Sequence, residues 1–208
     1  MRDLLVFDDN DGYTLVKLAR SAVEHYLKFR KIIEPDSNIK SRYSIRSGVF
    51  VTINEHNKGR EELRGCIGFP MPTKELYSAL IDAAIAAAVN DPRFKPLNMD
   101  EYYNITFEVS ILTEPMLIKV NDPREYRDII KVGRDGLIIV WRYGSGLLLP
   151  QVPVEYGWDA GRFLCETCMK ANALPDCWLY EDTKVYRFEA IIFKEVEPNG
   201  KVVRVRLV

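Results

Sequence analysis

Cys66 has the strongest potential for chemistry in this sequence, because a cationic residue precedes it by two positions. Apolar and polar residues alternate from Leu63 to Phe69, which predicts a β-strand with Arg64 and Cys66 on one face and Leu63 and Ile67 on the other. Residues two apart on a strand lie about 7 Å from each other, and a nearby guanidinium favours the thiolate form of cysteine. The pattern therefore predicts a candidate catalytic nucleophile, Cys66, activated by Arg64.

Two glycines beside Cys66 suggest a second role for the same stretch. Gly65 and Gly68 would let a ligand or another backbone segment come close to the strand. A ligand-binding site made of Arg64, Gly65, Cys66 and Gly68 is therefore also predicted. The plainer alternative is structural, because cysteine is among the most buried residue types and the glycines can serve sheet packing alone.

A cysteine nucleophile normally needs a base, and the sequence contains only two histidines. His25 falls in the first predicted helix, and His56 falls in a polar connection between two predicted strands. Neither histidine belongs to a motif that ties it to Cys66. The spacing of the residues therefore gives no support to a Cys–His pair.

Five further polar residues extend the candidate ligand-binding site. Glu108 and Ser110 share the polar face of a predicted strand, Asp91 and Arg93 lie in a predicted turn, and Gln151 follows an apolar run. Together with the Cys66 stretch they would supply acid, hydroxyl, amide and guanidinium groups to one cleft. Each also has a structural explanation: Asp91 and Arg93 as turn or cap residues, Glu108 in an internal ion pair, and Gln151 as an amide that bridges backbone groups.

The remaining cysteines are Cys165, Cys168 and Cys177. Cys165 and Cys168 form a C-x-x-C pair, but a structural zinc site needs a second pair at suitable spacing, and the sequence has none. The pair also falls inside an apolar helical pattern, which predicts packing on a helix. We therefore expect no stoichiometric zinc or iron and no cofactor. The thiols are expected to be reduced, as is usual in the cytosol, unless the source is a hyperthermophile.

Charge and length exclude several classes of protein. The 208 residues include 29 Lys and Arg against 30 Asp and Glu, a formal net charge of −1, which argues against a nucleic-acid-binding protein. The residues Met1–Asp9 contain too short an apolar stretch for a signal peptide, and no apolar run is long enough to span a membrane. We therefore expect a cytoplasmic protein without a membrane or nucleic-acid partner. The abundance of Glu, Lys and Arg beside a single glutamine is weakly thermophilic.

Helices and hairpins alternate along the chain and must position the candidate residues. Helices are predicted at about 13–29, with Asp11 as the N-cap, at about 76–89 and at about 158–171, and a loop is predicted at 35–38. Strands are predicted at about 49–53, 63–69, 105–111, 137–143, 147–150, 185–196 and 202–207, with Gly144-Ser145-Gly146 as the turn of a hairpin. Because strands that form hairpins are interleaved with helices, the predicted fold class is α+β, with antiparallel or mixed sheets and about three main helices.

The residues Leu63 to Gly68 read Leu-Arg-Gly-Cys-Ile-Gly, which resembles the signature of the AMMECR family. Further motifs match in the family's order: Asp91-Pro92-Arg93-Phe94 with Pro96, Glu108–Leu112 with Pro115, Gly136–Ile139, Gly146–Val152, Trp158, Phe163-Leu164, Cys168, Lys170-Ala171 and Trp178. The resemblance covers nearly the whole chain. Asn172 stands where the family usually has glycine, and asparagine tolerates the left-handed conformation that a helix end requires.

The resemblance implies a single AMMECR-type unit over residues 1–208, built from two closely packed lobes, one larger than the other, with a cleft between them. The family has no established activity, and its prokaryotic members are associated with radical S-adenosylmethionine and Memo-like proteins, which suggests a shared modification pathway. Two functions follow from this. One is an enzyme or small-molecule-binding protein with Arg64 and Cys66 in the cleft, and the other is a non-catalytic adaptor that presents the same surface to a protein partner.

Overall fold

The computed structural model describes residues 7–57 and 60–207, and it divides them into two compact units. Unit one contains the described residues of Met1–Glu114 together with Ile191–Val205, and unit two contains Pro115–Ala190 with the described residues that follow Val205. The predicted α+β fold class is confirmed, since both units combine helices with antiparallel sheet. The expected lobes and cleft within one AMMECR-type unit stay a prediction. Most of the segment on which the signal-peptide prediction rests, Met1–Val6, lies outside the described residues.

Unit one contains a five-stranded sheet in the order β2-β1-β3-β8-β9. Its elements are α1 (Asp9–Phe29), α2 (Ser37–Arg42), β1 (Gly48–Asn57), β2 (Arg60–Phe69), α3 (Leu76–Val89), α4 (Met99–Tyr102), β3 (Ile105–Leu112), β8 (Ala190–Glu195) and β9 (Val202–Val205). The alternating residues Val49, Val51 and Ile53 are fully buried in one apolar core with the apolar faces of α1 and α3. The alternation therefore assigns the other face of β1, with Thr52, to the side away from these two helices.

Unit two contains a four-stranded sheet in the order β4-β7-β5-β6. Its elements are β4 (Met116–Leu117), a 3-10 turn at Pro123–Glu125, α5 (Tyr126–Ile129), β5 (Gly136–Trp141), β6 (Gly144–Leu148), α6 (Gln151–Glu155), α7 (Ala160–Lys170), a 3-10 turn at Cys177–Leu179 and β7 (Lys184–Phe188). Helix α7 packs on β5 and β6 around a core that includes Phe163, Leu164 and Leu137. The three longest helices, α1, α3 and α7, correspond to the three predicted main helices.

Four details of the predicted elements were wrong for local reasons. Asp8, and not Asp11, is the N-cap of α1, and Asp11 completes a capping box with it. The segment expected to be a loop at 35–38 begins helix α2, because Asp36 caps it. The predicted strand at 185–196 ends at Phe188 and restarts at Ala190, so its halves belong to different sheets. The glycines expected to turn the hairpin at 144–146 belong to β6.

Asn172 follows α7 with a φ of 55°, in the left-handed region that its position was expected to require. In the described part of the chain, no helix is long and apolar enough to cross a membrane.

Candidate functional site

A β-bulge in β2 separates Arg64 from Cys66. Ile53 pairs with Gly65, but the next residue of β1, Asn54, pairs with Leu63, so Arg64 has no opposite residue on β1. Because β1 keeps a continuous register with β3, Thr52 and Asn54 share one face of the sheet. Leu63 therefore lies on that face, which is also the face of Cys66. The prediction of regular alternation, with Arg64 beside Cys66 and Leu63 opposite, was wrong.

The Arg64 side chain is occupied by the segment that follows α3. Its Nε donates to Glu101 Oε1 at 2.8 Å, and its second terminal nitrogen donates to the carbonyl oxygen of Lys95, also at 2.8 Å. Its guanidinium carbon lies 5.7 Å from the centre of the Phe94 ring. Arg64 thus ties strand β2 to helix α4 and is not directed at the Cys66 thiol.

The Cys66 thiol lies in a row of polar side chains across three strands. Thr52 pairs with Cys66 on one side and with Glu108 on the other, so the three side chains share the face of the sheet that is turned away from α1 and α3. The hydroxyl of Thr52 donates to Cys66 Sγ at 3.4 Å. Ser110 lies on the same face two residues beyond Glu108 and is buried. We refer to Cys66, Thr52, Glu108 and Ser110 as the polar row.

The surroundings of Cys66 keep it in the thiol form. Burial raises the pKa of the Cys66 thiol above its ordinary value, and the carboxylates of Glu108 and Asp91 add to that increase. The hydrogen bond from Thr52 and the charge of Arg93 oppose the increase without cancelling it. The expectation that Arg64 stabilises a thiolate at Cys66 was therefore wrong, because the pKa moves in the opposite direction.

Asp91 and Arg93 close the free edge of the sheet at Cys66, and we call this pair the edge clamp. Strand β2 is an edge strand, so the backbone groups that point away from β1 need other partners. The Cys66 N–H donates to Asp91 Oδ2 at 2.9 Å, and Arg93 donates to the Cys66 carbonyl oxygen at 3.2 Å. Arg93 also binds Asp91 through two hydrogen bonds of 2.9 and 2.7 Å. The turn motif therefore stabilises the central residue of the signature.

Asp91 is buried and remains ionised within the edge clamp. The hydrogen bonds from Arg93 lower the pKa of Asp91 to about 2, and the N–H groups of Cys66 and Arg93 act in the same direction while burial opposes them. The predicted turn or cap role of these two residues thus has a definite geometry, and their part in binding a ligand stays a prediction.

The two glycines of the signature are places where the protein packs against itself. A Cβ added to Gly65 would lie 2.1 Å from the carbonyl oxygen of Ala87 in α3. A Cβ added to Gly68 would lie 2.2 Å from the ring of Phe50. The predicted close approach of another backbone segment is therefore found at Gly65, where that segment belongs to α3, and the part of both glycines in binding a ligand stays a prediction.

Neither histidine is placed beside Cys66. His56 lies on β1 four residues from Thr52, about 13 Å along the strand. Its Nε2 lies 3.3 Å from Thr106 Oγ1 and 3.9 Å from Glu61 Oε1. His25 is on α1, with its ring centre 4.9 Å from that of Phe29. The polar row therefore has no imidazole in hydrogen-bonding reach of the thiol.

Gln151 begins helix α6 in unit two, where it is buried. The other candidate residues, Arg64, Cys66, Asp91 and Glu108 among them, belong to unit one. The prediction that Gln151 contributes to the same site as these residues stays a prediction.

Thr52 and Glu101 were not among the predicted site residues, although their side chains bind Cys66 and Arg64. Alternation along β1 assigns Thr52 to the polar face, but only the pairing of the two strands brings it to Cys66. Glu101 has a recognisable signal of its own, because it forms a capping box with Asn98 at the start of α4. That signal locates the short helix and does not identify Arg64 as its partner.

Cys168 and Cys177 form a disulfide, which is the exception to reduced thiols that was expected for a hyperthermophilic source. Their Cα atoms lie 5.8 Å apart, and both residues are fully buried. Cys66 and Cys165 are free and partly buried. Among the described residues, no group of three His, Cys, Asp or Glu side chains is arranged to hold a metal ion.

Alkylation of Cys66 should be slow at neutral pH and independent of Arg64. Because burial favours the thiol, the rate of modification by iodoacetamide should reach half its maximum above the pH typical of a free cysteine. Arg64→Met should leave this midpoint unchanged, since Arg64 binds Glu101. Peptide mass spectrometry separates Cys66 from Cys165, which serves as the internal reference. An upward shift of one pH unit in Arg64→Met would restore the original thiolate hypothesis.

Known proteins are similar to this chain over nearly its whole length. The AMMECR1 family model matches residues 16–193. A protein of Pyrococcus abyssi is 55% identical over 201 residues, which are 96% of this chain and 98% of that protein. A protein of Methanocaldococcus jannaschii is 50% identical over 197 residues, 95% of this chain and 96% of that protein.

A solved structure agrees with the fold described above. The crystal structure of an uncharacterised protein from Pyrococcus horikoshii is 52% identical in sequence, covers 96% of this chain and 98% of its own, and superposes with a TM-score of 0.92. The archaeal origin of these relatives confirms the prokaryotic and thermophilic character inferred from the sequence. The chain belongs to the AMMECR1 family.

Proposed function

We propose that this protein is a non-catalytic adaptor that binds a protein partner at the end of strand β2. The observation that carries the proposal is the internal use of the signature residues. Arg64 binds Glu101, the backbone of Cys66 is held by the edge clamp, and Gly65 packs on α3. Signature residues with these contacts hold strand β2 in place. A catalytic cysteine would instead need a lowered thiol pKa and a nearby base.

An apolar patch at the C-terminal end of β2 supports the binding of a protein. Phe69 ends β2, Met71 follows it, and Ile45 precedes β1, and all three side chains are exposed. The segments that carry them meet where the N–H of Leu76 donates to the carbonyl oxygen of Ile45 at 2.7 Å. Exposed apolar side chains on neighbouring stretches of chain are common in protein interfaces.

Charged residues border this patch. Lys74 Nζ lies 5.9 Å from the centre of the Phe69 ring and 2.6 Å from Asp82 Oδ2. Arg46 and Glu75 pair through their backbones in an isolated β-bridge between the segment before β1 and the start of α3. Charged residues of both signs beside these apolar side chains would favour a partner with complementary charges. We refer to Ile45, Phe69 and Met71 as the β2-end patch.

The association of the family's prokaryotic members with radical S-adenosylmethionine and Memo-like proteins suggests the partner. An adaptor that docks on such an enzyme needs no chemistry of its own, which agrees with a protonated Cys66. This part of the proposal depends on the resemblance and on no contact of the described residues.

The polar row favours a second candidate function, the non-covalent binding of a small polar molecule. Thr52, Cys66 and Glu108 place a hydroxyl, a thiol and a carboxylate side by side on one sheet face. A ligand that donates hydrogen bonds would complement this set. Substitution of Thr52 by valine would weaken the binding of such a ligand and leave the β2-end patch intact. The variant therefore distinguishes ligand binding at the polar row from partner binding at the β2-end patch.

The adaptor proposal is tested by direct binding to purified Memo-like and radical S-adenosylmethionine proteins from the same organism. Isothermal titration calorimetry with the wild-type chain should detect binding to one of them. Ile45→Glu and Met71→Glu should each weaken it at least tenfold, because a charge would be placed at the centre of the apolar contact. Leu174→Glu is the matched control, since Leu174 is also a large exposed apolar residue but belongs to unit two. Absence of binding to both proteins, or equal loss in the control variant, would contradict the proposal.

A further inference from the structure

Strand β9 is an outer strand of the five-stranded sheet, at the edge opposite β2. It pairs with β8, and the pairing continues past the strand ends, because the Val196 N–H donates to the Lys201 carbonyl oxygen at 2.9 Å. In an antiparallel pair, successive residues alternate between bonding the partner strand and pointing away from it. Val203 therefore bonds β8, whereas its neighbours Val202 and Arg204 direct their N–H and carbonyl groups away from the sheet.

The two edges of this sheet differ in how their backbone groups are bound. At β2, the edge clamp binds both the N–H and the carbonyl oxygen of Cys66. At β9, no strand of the described chain lies beyond the edge, and no hydrogen bond from another described segment reaches the outward groups of Val202 and Arg204. Unpaired backbone groups on an edge strand are a template for one more strand. We refer to the outward side of β9 as the open edge.

The side chains along the open edge alternate in chemistry. Val203 and Val205 are half-buried, and Arg204 is exposed between them. Lys201 and Arg206, which flank this segment, are exposed as well. Within the described ranges, none of these three cations forms an ion pair with a carboxylate. The open edge therefore carries apolar side chains together with positive charge that the chain does not neutralise.

This charge discriminates between the strands that could pair with β9. A second copy of the chain would bring its own Arg204 beside the cations of the first β9, and like charges across a strand pair are destabilising. A strand with acidic side chains opposite Arg204 and β-branched side chains opposite Val203 and Val205 would complement both the charge and the apolar surface. The chemistry of the edge thus favours an acidic partner over self-association.

We propose that the open edge binds an acidic, extended segment of a partner protein, which adds an antiparallel strand to the five-stranded sheet. The outward backbone groups of Val202 and Arg204 supply main-chain hydrogen bonds, as in other cases of peptide binding by strand addition. The Arg204 guanidinium, whose carbon lies 6.0 Å from the centre of the Phe193 ring, selects acidic residues in that segment. The antiparallel direction is the one that β8 and β9 already have.

The open edge is separate from the β2-end patch. Four strand spacings lie between β9 and β2, which is about 19 Å across the sheet. A segment bound at β9 would leave the β2-end patch uncovered, so an adaptor could hold two proteins at once. The inference does not rest on the proposed function, because the edge can bind a peptide whether or not the β2-end patch binds a protein.

Fluorescence anisotropy with labelled peptides tests the proposal in the full-length protein. The probe is a short peptide of alternating glutamate and valine, and the comparison is a peptide of the same composition with its glutamates and valines in two blocks. Wild type should bind the alternating peptide at least tenfold more tightly, because only this peptide matches the alternation of β9. Arg204→Glu should weaken that binding at least tenfold, since attraction is replaced by repulsion.

Two sets of variants serve as controls for the peptide experiment. Lys95→Glu makes the same change of charge at an exposed position of unit one outside β9, and it should bind the alternating peptide like wild type. Ile45→Glu and Met71→Glu should also bind this peptide like wild type. The loss of a protein partner in these two variants and the loss of the peptide in Arg204→Glu therefore test different sites.

Methylated probes separate strand addition from simple charge attraction. An antiparallel strand with glutamates opposite Arg204 directs the glutamate N–H groups at β9 and the valine N–H groups away from it. A probe with N-methylated glutamates should therefore lose binding, whereas one with N-methylated valines should keep it. Equal binding of the two methylated probes, or equal loss in Arg204→Glu and Lys95→Glu, would overturn the proposal. Tighter binding of a single-stranded oligothymidylate than of the alternating peptide would also overturn it and assign the edge to nucleic acid.

Discussion

Replacement of Asp91 by alanine is expected to lower the free energy of unfolding by about 3 kcal/mol. The substitution removes a buried carboxylate that accepts hydrogen bonds from the Cys66 N–H, the Arg93 N–H and the Arg93 guanidinium. The edge N–H of Cys66 would lose its partner, and the charge of Arg93 would lose its counter-ion. Chemical denaturation monitored by circular dichroism measures the change.

The carboxylate of Asp91 should also make the free energy of unfolding fall at acidic pH. The pKa of Asp91 in the folded protein is about 2, below the ordinary value of an aspartate, so the ionised form favours folding. Its contribution of about 2 kcal/mol should be fully present above the unfolded pKa and should disappear as the pH falls through the folded value. The difference in stability between wild type and Asp91→Asn should therefore shrink between about pH 5 and pH 2.

Asp100→Asn provides the control for this experiment. Asp100 is exposed and lies nine residues further along the same connection, in the first turn of α4. Its substitution should change the free energy of unfolding by less than about 0.5 kcal/mol. If Asp91→Asn lowers the free energy of unfolding at neutral pH as little as Asp100→Asn does, the edge clamp contributes little to stability. Asp91 and Arg93 would then be free for another role.

The sequence predicted those parts of the fold that depend on local periodicity. The apolar stripe of α3 and the alternation of Val49, Val51 and Ile53 each bury one face, so their types and faces could be derived from spacing alone. The strands of the first hairpin run longer than expected, to Asn57 and from Arg60, because polar residues in the predicted connection still pair across the two strands.

The candidate site depends on pairing that no local pattern reveals. A single unpaired residue, Arg64, changes the face of every residue before it in β2, so Leu63 joins Cys66 and the guanidinium leaves it. The direction of the Cys66 pKa follows from this change together with burial, and neither is visible in the signature. The disulfide was missed for a related reason, because its second cysteine lies outside the helix that carries the first.

Gly65→Ala tests whether the signature glycine serves packing or a ligand, and it is expected to cost about 3 kcal/mol in the free energy of unfolding. The added methyl group would lie 2.1 Å from the carbonyl oxygen of Ala87, a backbone atom that can move only if α3 moves away from the sheet. Gly161→Ala is the matched control, because there the methyl group would meet only side-chain atoms, the flexible guanidinium of Arg127 at 3.3 Å and Asp159 Oδ1 at 3.4 Å, within a helix that favours alanine. It should be neutral or slightly stabilising. A glycine kept for close approach of a ligand would give the reverse result, since Gly65→Ala would then leave the melting temperature unchanged and abolish only binding. A large loss of stability in Gly65→Ala beside a stable Gly161→Ala would instead identify the signature as the contact that holds β2 against α3.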